Sequence, residues 1–168
     1  MHDTHRSRIE GMSIFTDVKD LAGGTKQSKE WYREQLMYGL QDYTGTFDVG
    51  DIILFSYGAA TADKLPFYDR FPMVLITDKD TQNMQFSGGN VHYLRPDARK
   101  SICKNWAAGS LAYPRRCHHK YFMSNVSAVK TILKEDLTDM TPLPIEQFTM
   151  PRVGRMIDVP SSFIWSRL

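Results

Sequence analysis

The sequence predicts an α+β fold: a small, curved SH3-like β-barrel with an N-terminal helix, an inserted helix and extended terminal arms. Three observations predict it. Short β-branched and aromatic runs recur between residues 51 and 94, separated by turn-rich links. Gly88-Gly89 interrupts the third run, where a bulge or sharp bend would curl a small sheet. Helical periodicity appears on either side of this region.

The 168 residues divide into an arm at 1–25, a single globular domain at 26–149 and a second arm at 150–168. With 42% hydrophobic and 12% aromatic residues the chain can bury a core, so global disorder is excluded. A helix is expected from about Ser28 to Leu40, with Trp31, Leu36, Met37 and Leu40 on one side and Thr25 or Ser28 as cap. "GDIILFSYG" reads as a strand closed by Gly58. Pro72–Thr77 reads as a second strand, apolar on both faces and therefore central. "MQFSGGNVHYL" alternates as a third strand. Pro96 opens a second helix reaching about Ala108, and Ala128–Leu133 reads as a strand. Residues 109–127 have no clear periodicity. "TMPRVGRMIDVPSSFIWSRL" reads as an arm that needs another surface; Ile157, Phe163, Ile164 and Trp165 would dock it there.

Charge is unevenly spread. Residues 1–94 carry nine Lys/Arg against thirteen Asp/Glu, residues 95–120 carry seven against one, and the rest balances at five against five. The basic segment offers Arg95, Arg99, Lys100, Lys104, Arg115, Arg116 and Lys120, with Trp106, Tyr113 and Tyr121 between them. Basic groups neutralise phosphates and aromatics stack on bases, so the segment is a candidate nucleic-acid site. An acidic protein partner, a second copy of the chain included, would meet the same charge equally well.

The stretch "LPFYDRFP" admits two readings. As a packed corner, Asp69 accepts backbone N–H bonds while the aromatics plug the barrel end. As a site, Arg70 binds an anion or stabilises developing charge. His92 in "NVHYL" reads as a half-buried strand histidine. Cys103, Cys117, His118 and His119 lack the compact spacing of a zinc site, so no metal and no cofactor is expected. The two cysteines suit a reducing compartment. A Gly-rich phosphate loop, G-x-S-x-G and H-E-x-x-H are all absent. No apolar run approaches a membrane-spanning length, and the charged N-terminus has no signal-peptide core. A cytoplasm, with no membrane contact, is the expectation.

Residues 50–95 resemble a set of tailed-bacteriophage proteins, chiefly of large contractile-tailed phages. The resemblance lies in Tyr57, the run Leu65-Pro66 with Tyr68-Asp69-Arg70-Phe71-Pro72, and Asn90 with His92-Tyr93-Leu94. It implies a role in virion assembly or in protecting genome ends, with a place in the virion or the host cytoplasm, and supplies no catalytic residue. Gly50-Asp51-Ile52 and Arg70 ahead of Met73-Val74-Leu75-Ile76 are also similar to the MazF/PemK messenger-RNA interferases, whose catalytic arginine would fall on Arg70. Phe71 separates Arg70 from Pro72 here, and "HYLRP" replaces the second motif of those toxins. The function expected first is therefore a non-enzymatic virion or assembly protein (connector, tail or baseplate). It would be a homo-oligomer docking on other virion proteins through its arms. The alternatives are a nucleic-acid-binding protein such as a DNA-end protector, and a MazF-like ribonuclease using Arg70.

Overall fold

The computed structural model describes residues 28–40 and 47–168. The N-terminal arm expected at 1–25 lies outside them. Helix α1 spans Lys29–Gly39, capped by Ser28, whose side-chain oxygen accepts the Trp31 N–H at 3.1 Å. Strand β1 (Ile52–Tyr57) follows, then β2 (Tyr68–Asp69), β3 (Met73–Asp80) and β4 (Gln85–Asn90). Helix α2 (Pro96–Ala107) carries Pro96 in its first turn, where no N–H is needed. Strands β5 (His118–Phe122) and β6 (Val126–Thr131) come next, then the short helix α3 (Leu137–Met140). Strands β7 (Phe148–Arg152) and β8 (Arg155–Asp158) and helix α4 (Ser161–Trp165) end the fold.

Five strands form one antiparallel sheet in the order β5-β4-β3-β1-β6, with β3 central as its doubly apolar sequence predicts. Alternation sends Ile52, Leu54, Met73 and Leu75 to one face, where they pack with Leu36 of α1, Trp106 of α2 and Met140 of α3. Ile53, Phe55, Tyr57, Val74 and Ile76 go to the other face, against Phe47, Phe86 and Tyr121. Gly88 is required by close approach: a Cβ there would collide with the Leu75 carbonyl oxygen and the Val74 side chain. The bulge lies across from it on β3, where Thr77 is the extra residue between the pairs Ile76–Gly88 and Asp78–Ser87. A second irregularity falls in β6, where Ala128 takes a φ of 53°.

The sheet is curled but not closed. Strands β5 and β6 stand at opposite edges, which a flat sheet would hold roughly 19 Å apart at its usual strand spacing. A single 3-10 turn, Met123–Asn125, joins them, and three such residues advance only about 6 Å. The edges are therefore drawn toward each other, yet they form no ladder. The Phe122 N–H at the end of β5 is 3.3 Å from the Tyr57 hydroxyl, and the Phe55, Tyr57, Phe86 and Tyr121 rings pack edge-on and face-on inside the curl. The expected SH3-like barrel is thus corrected to an open sheet; the α+β class stands.

The chain changes sheets at the "LPFYDRFP" corner. β2 pairs with β7 in a small sheet ordered β2-β7-β8, while the next residues, Arg70 and Pro72, accept N–H bonds from Tyr57 and Phe55 of β1. The C-terminal segment is not a free arm. Ile164 of α4 is buried with Tyr93, Leu94, Cys117 and Phe148, and the Trp165 indole N–H donates to the His92 carbonyl at 2.9 Å. Apolar residues that were expected to dock on a neighbour dock on their own chain.

Candidate functional site

The polar residues of the distinctive stretch converge in the interior. Asp69 Oδ1 accepts the Phe71 and Gln147 N–H groups at 3.0 Å each, and Oδ2 faces Asn90 Nδ2 at 3.0 Å and His92 Nδ1 at 2.7 Å. Asn90 Oδ1 in turn accepts the Met73 and His92 N–H groups. All three side chains are buried. Burial alone would raise the Asp69 pKa, but the adjacent His92 and the hydrogen bonds outweigh it and hold the carboxyl at about 2. This cluster ties the β2–β3 corner, the end of β4 and the approach to β7 into one body. His92 sits in a buried 3-10 turn (Val91–Tyr93) rather than half-buried in a strand, and its Nε2 has no protein partner. The cluster has the geometry of a structural staple and is sealed from solvent.

A second buried network corrects one candidate. Arg99, expected on a basic helix face, is fully buried. It donates to the carbonyls of Leu94, Thr141 and Leu143 at 2.8, 3.0 and 3.4 Å, and to Glu146 Oε2 at 3.1 Å. Glu146 Oε1 also accepts from Lys29 Nζ and from the Ser161 hydroxyl. Burial raises the Glu146 pKa, but Arg99, then His92 and Lys29, bring it down to about 2. The spacing could have shown this: Arg99, Cys103 and Trp106 form an i, i+4, i+7 stripe, all buried.

The other basic candidates are exposed. Arg95 stacks over Trp165, 5.7 Å from the ring centroid. Lys100 and Lys104 are one helical turn apart on the outer side of α2. Arg115 and Arg116 occupy the 3-10 turn before β5, and Lys120 points outward from that edge strand between His118 and Phe122. Among the described residues, none of these last five joins an ion pair. Arg70 is also exposed, on the rim of a cleft of about 450 Å³ with Tyr57, Tyr68, Ser127, Gln147 and Met156. The barrel that underlay its comparison with the toxin arginine is not formed.

Ile157 and Phe163 are part-buried, as is Trp165, and Ile164 is fully buried. Among the described residues no three His, Cys, Asp or Glu side chains are grouped to hold a metal ion. His118 Nδ1 lies 2.7 Å from the Tyr113 hydroxyl, and His119 stacks on Tyr93. Burial pushes both cysteine thiols up to about 11, so they are poor nucleophiles at neutral pH. No helix among the described residues is long and apolar enough to cross a membrane. Sequence reasoning missed the edge strand β5, the short helices α3 and α4, and the β7–β8 hairpin, whose signal is Gly154 in the turn between Arg152 and Arg155.

Compared with models of known families, residues 11–137 match the phage T4 terminal DNA protecting protein. No curated protein and no solved structure matches. The family match agrees with the DNA-end protector held as an alternative, and lends nothing to the connector, tail or baseplate component expected first. The match covers most of the chain and the whole basic segment, and by it the chain belongs to the family of the phage T4 terminal DNA protecting protein, a family of bacteriophage proteins.

Proposed function

We propose that this protein binds the ends of double-stranded DNA and shields them from exonucleases, in the particle or in the host cytoplasm. The family match over residues 11–137 carries the reading. The surface agrees with it. Lys100, Lys104, Arg115, Arg116 and Lys120 stand in solvent on a helix, a turn and an edge strand, where they can follow a phosphate backbone. Binding of this kind needs charge held in place, and no reacting group.

The test is exonuclease digestion of an end-labelled linear duplex, with and without the protein, across a salt series. Protection is expected at low salt, and a covalently closed circle should compete more weakly than a linear fragment. Replacing Lys100, Lys104, Arg115 and Arg116 together by Gln should flatten the log–log salt slope by about 4 if each meets one phosphate. A linear duplex degraded equally fast at saturating protein, or a circle that competes equally well, would overturn the reading.

A further inference from the structure

The β7–β8 hairpin breaks three local rules at once. Its tip is Val153-Gly154, both left-handed, with φ of 45° and 75°. That turn favours Asn, Asp or Gly at its first position, and a β-branched residue is strained there. Val153 is also 96% exposed, so its side chain gains nothing from packing. Flanking it, Arg152 and Arg155 are direct cross-strand partners, and like charges placed opposite each other destabilise a hairpin. Both are exposed, and among the described residues neither has an acidic partner. The base, by contrast, is firmly held. β7 pairs with β2, the Val159 N–H bonds the Phe148 carbonyl at 3.0 Å, and the Thr149 hydroxyl donates to the Ile157 carbonyl at 2.9 Å. A rigid stem thus presents an apolar point between two cations, in a conformation that the chain alone disfavours. Local conflict of this kind, set on an ordered support, marks a functional site.

Resting on the DNA-end reading, we infer that this tip is the element that distinguishes a DNA end from its interior: Val153 seats on the exposed face of the terminal base pair, and Arg152 and Arg155 hold the phosphates of the two strands beside it. The occupant follows from the chemistry. Two guanidiniums flanking the tip suit a doubly anionic rim, and an apolar wedge suits a base-pair face. An interior step must be unstacked before it admits a wedge, whereas the last pair already has one open face. The same tip therefore binds ends in preference to continuous duplex. The basic residues of α2 and β5 supply affinity without that preference.

The experiment uses the full chain and a blunt duplex carrying 2-aminopurine in either the last pair or a central pair, with closed circular DNA as competitor. Wild type should change the fluorescence of the terminal probe and leave the central probe unchanged. Val153→Asn, which suits the turn, should raise Tm by about 2–4 °C. It should also weaken end binding about tenfold and abolish the terminal signal. Val153→Gly should do the same to binding, so the outcome does not hang on one variant. Arg152→Gln with Arg155→Gln should reduce the salt slope by about 2. Val153 variants that bind ends as wild type does, or a probe response equal at centre and end, would overturn the inference while leaving end protection intact. A wild-type protein with no preference for ends over circles would instead overturn the DNA-end reading beneath it.

Discussion

Arg99 is the sharpest test of how this chain divides its positive charge. The sequence places it in the basic segment, and the fold places it inside. Arg99→Met keeps the length of the stem and removes the guanidinium. Four carbonyls, of His92, Leu94, Thr141 and Leu143, then lose a donor, and Glu146 keeps only Lys29 and Ser161. Breaking one partner out of a buried ion pair costs about 3–5 kcal/mol. That is a large part of the 5–15 kcal/mol typical of a domain, so the variant should be folded but marginal, with a urea midpoint well below wild type. Lys100→Met, one residue on and exposed, should shift stability by less than about 0.5 kcal/mol. Adding Glu146→Met to Arg99→Met removes the stranded carboxylate, so the double variant should cost clearly less than the sum of the two singles, by about 2 kcal/mol or more. Urea unfolding followed by tryptophan fluorescence reads the wild type and all four variants, Glu146→Met included. A wild-type midpoint for Arg99→Met, combined with lost DNA affinity, would refute the reasoning and return Arg99 to the surface.

Other consequences follow from the same interior. Asp69 and Glu146 both have folded pKa values of about 2, below their ordinary values. The stability they contribute is therefore complete above about pH 4.5 and lost as pH falls toward 2, on the order of 2–3 kcal/mol from each. Urea midpoints measured from pH 5 to pH 2 should show this loss, and Asp69→Asn should flatten it; equal slopes in the two proteins would contradict it. Gly88→Ala drives a methyl into the Leu75 carbonyl and should cost about 3 kcal/mol. Gly58→Ala meets nothing within 4 Å and should leave Tm unchanged within about 2 °C. Cys103 and Cys117, buried with thiol pKa values near 11, should not react with a disulfide reagent at pH 7 until urea unfolds the protein, when both should titrate.

Much of the core was legible because local pattern and burial agree there. The apolar run of β1, the doubly apolar β3 and the Ser28-capped helix carry their structure in adjacent residues, so their positions follow from periodicity. What was hidden depends on distant contacts. His118–Phe122 reads as polar, yet it is an edge strand with one face in solvent and a single buried ring, Tyr121, on the other. The C-terminal segment looks unsupported until Phe148 and Ile164 meet Tyr93 and Leu94 from more than fifty residues earlier. Its hairpin was missed because Val153 occupies a turn position where the rule expects Asn or Gly.

The corner motif shows why the most recognisable words in a sequence need not mark its site. A buried carboxylate fed by two backbone N–H groups, an asparagine and a histidine tolerates almost no other side chains, because each replacement leaves a polar atom stranded. Such a cluster writes a distinctive phrase, and Asp69, Asn90 and His92 are its letters. Contact with a phosphate backbone asks only for a cation at the right place, so Lys100, Lys104 and Arg115, the contacts proposed above, spell nothing memorable. The staple nevertheless matters to the surface it never touches. It fixes the β2–β3 corner to the Gln147 approach of β7, and β7 is the stem that carries Arg152 and Val153 outward. Loosening Asp69 should therefore degrade the tip's aim before it degrades the basic surface. In Asp69→Asn, preference for ends should fall while affinity for closed circles is retained.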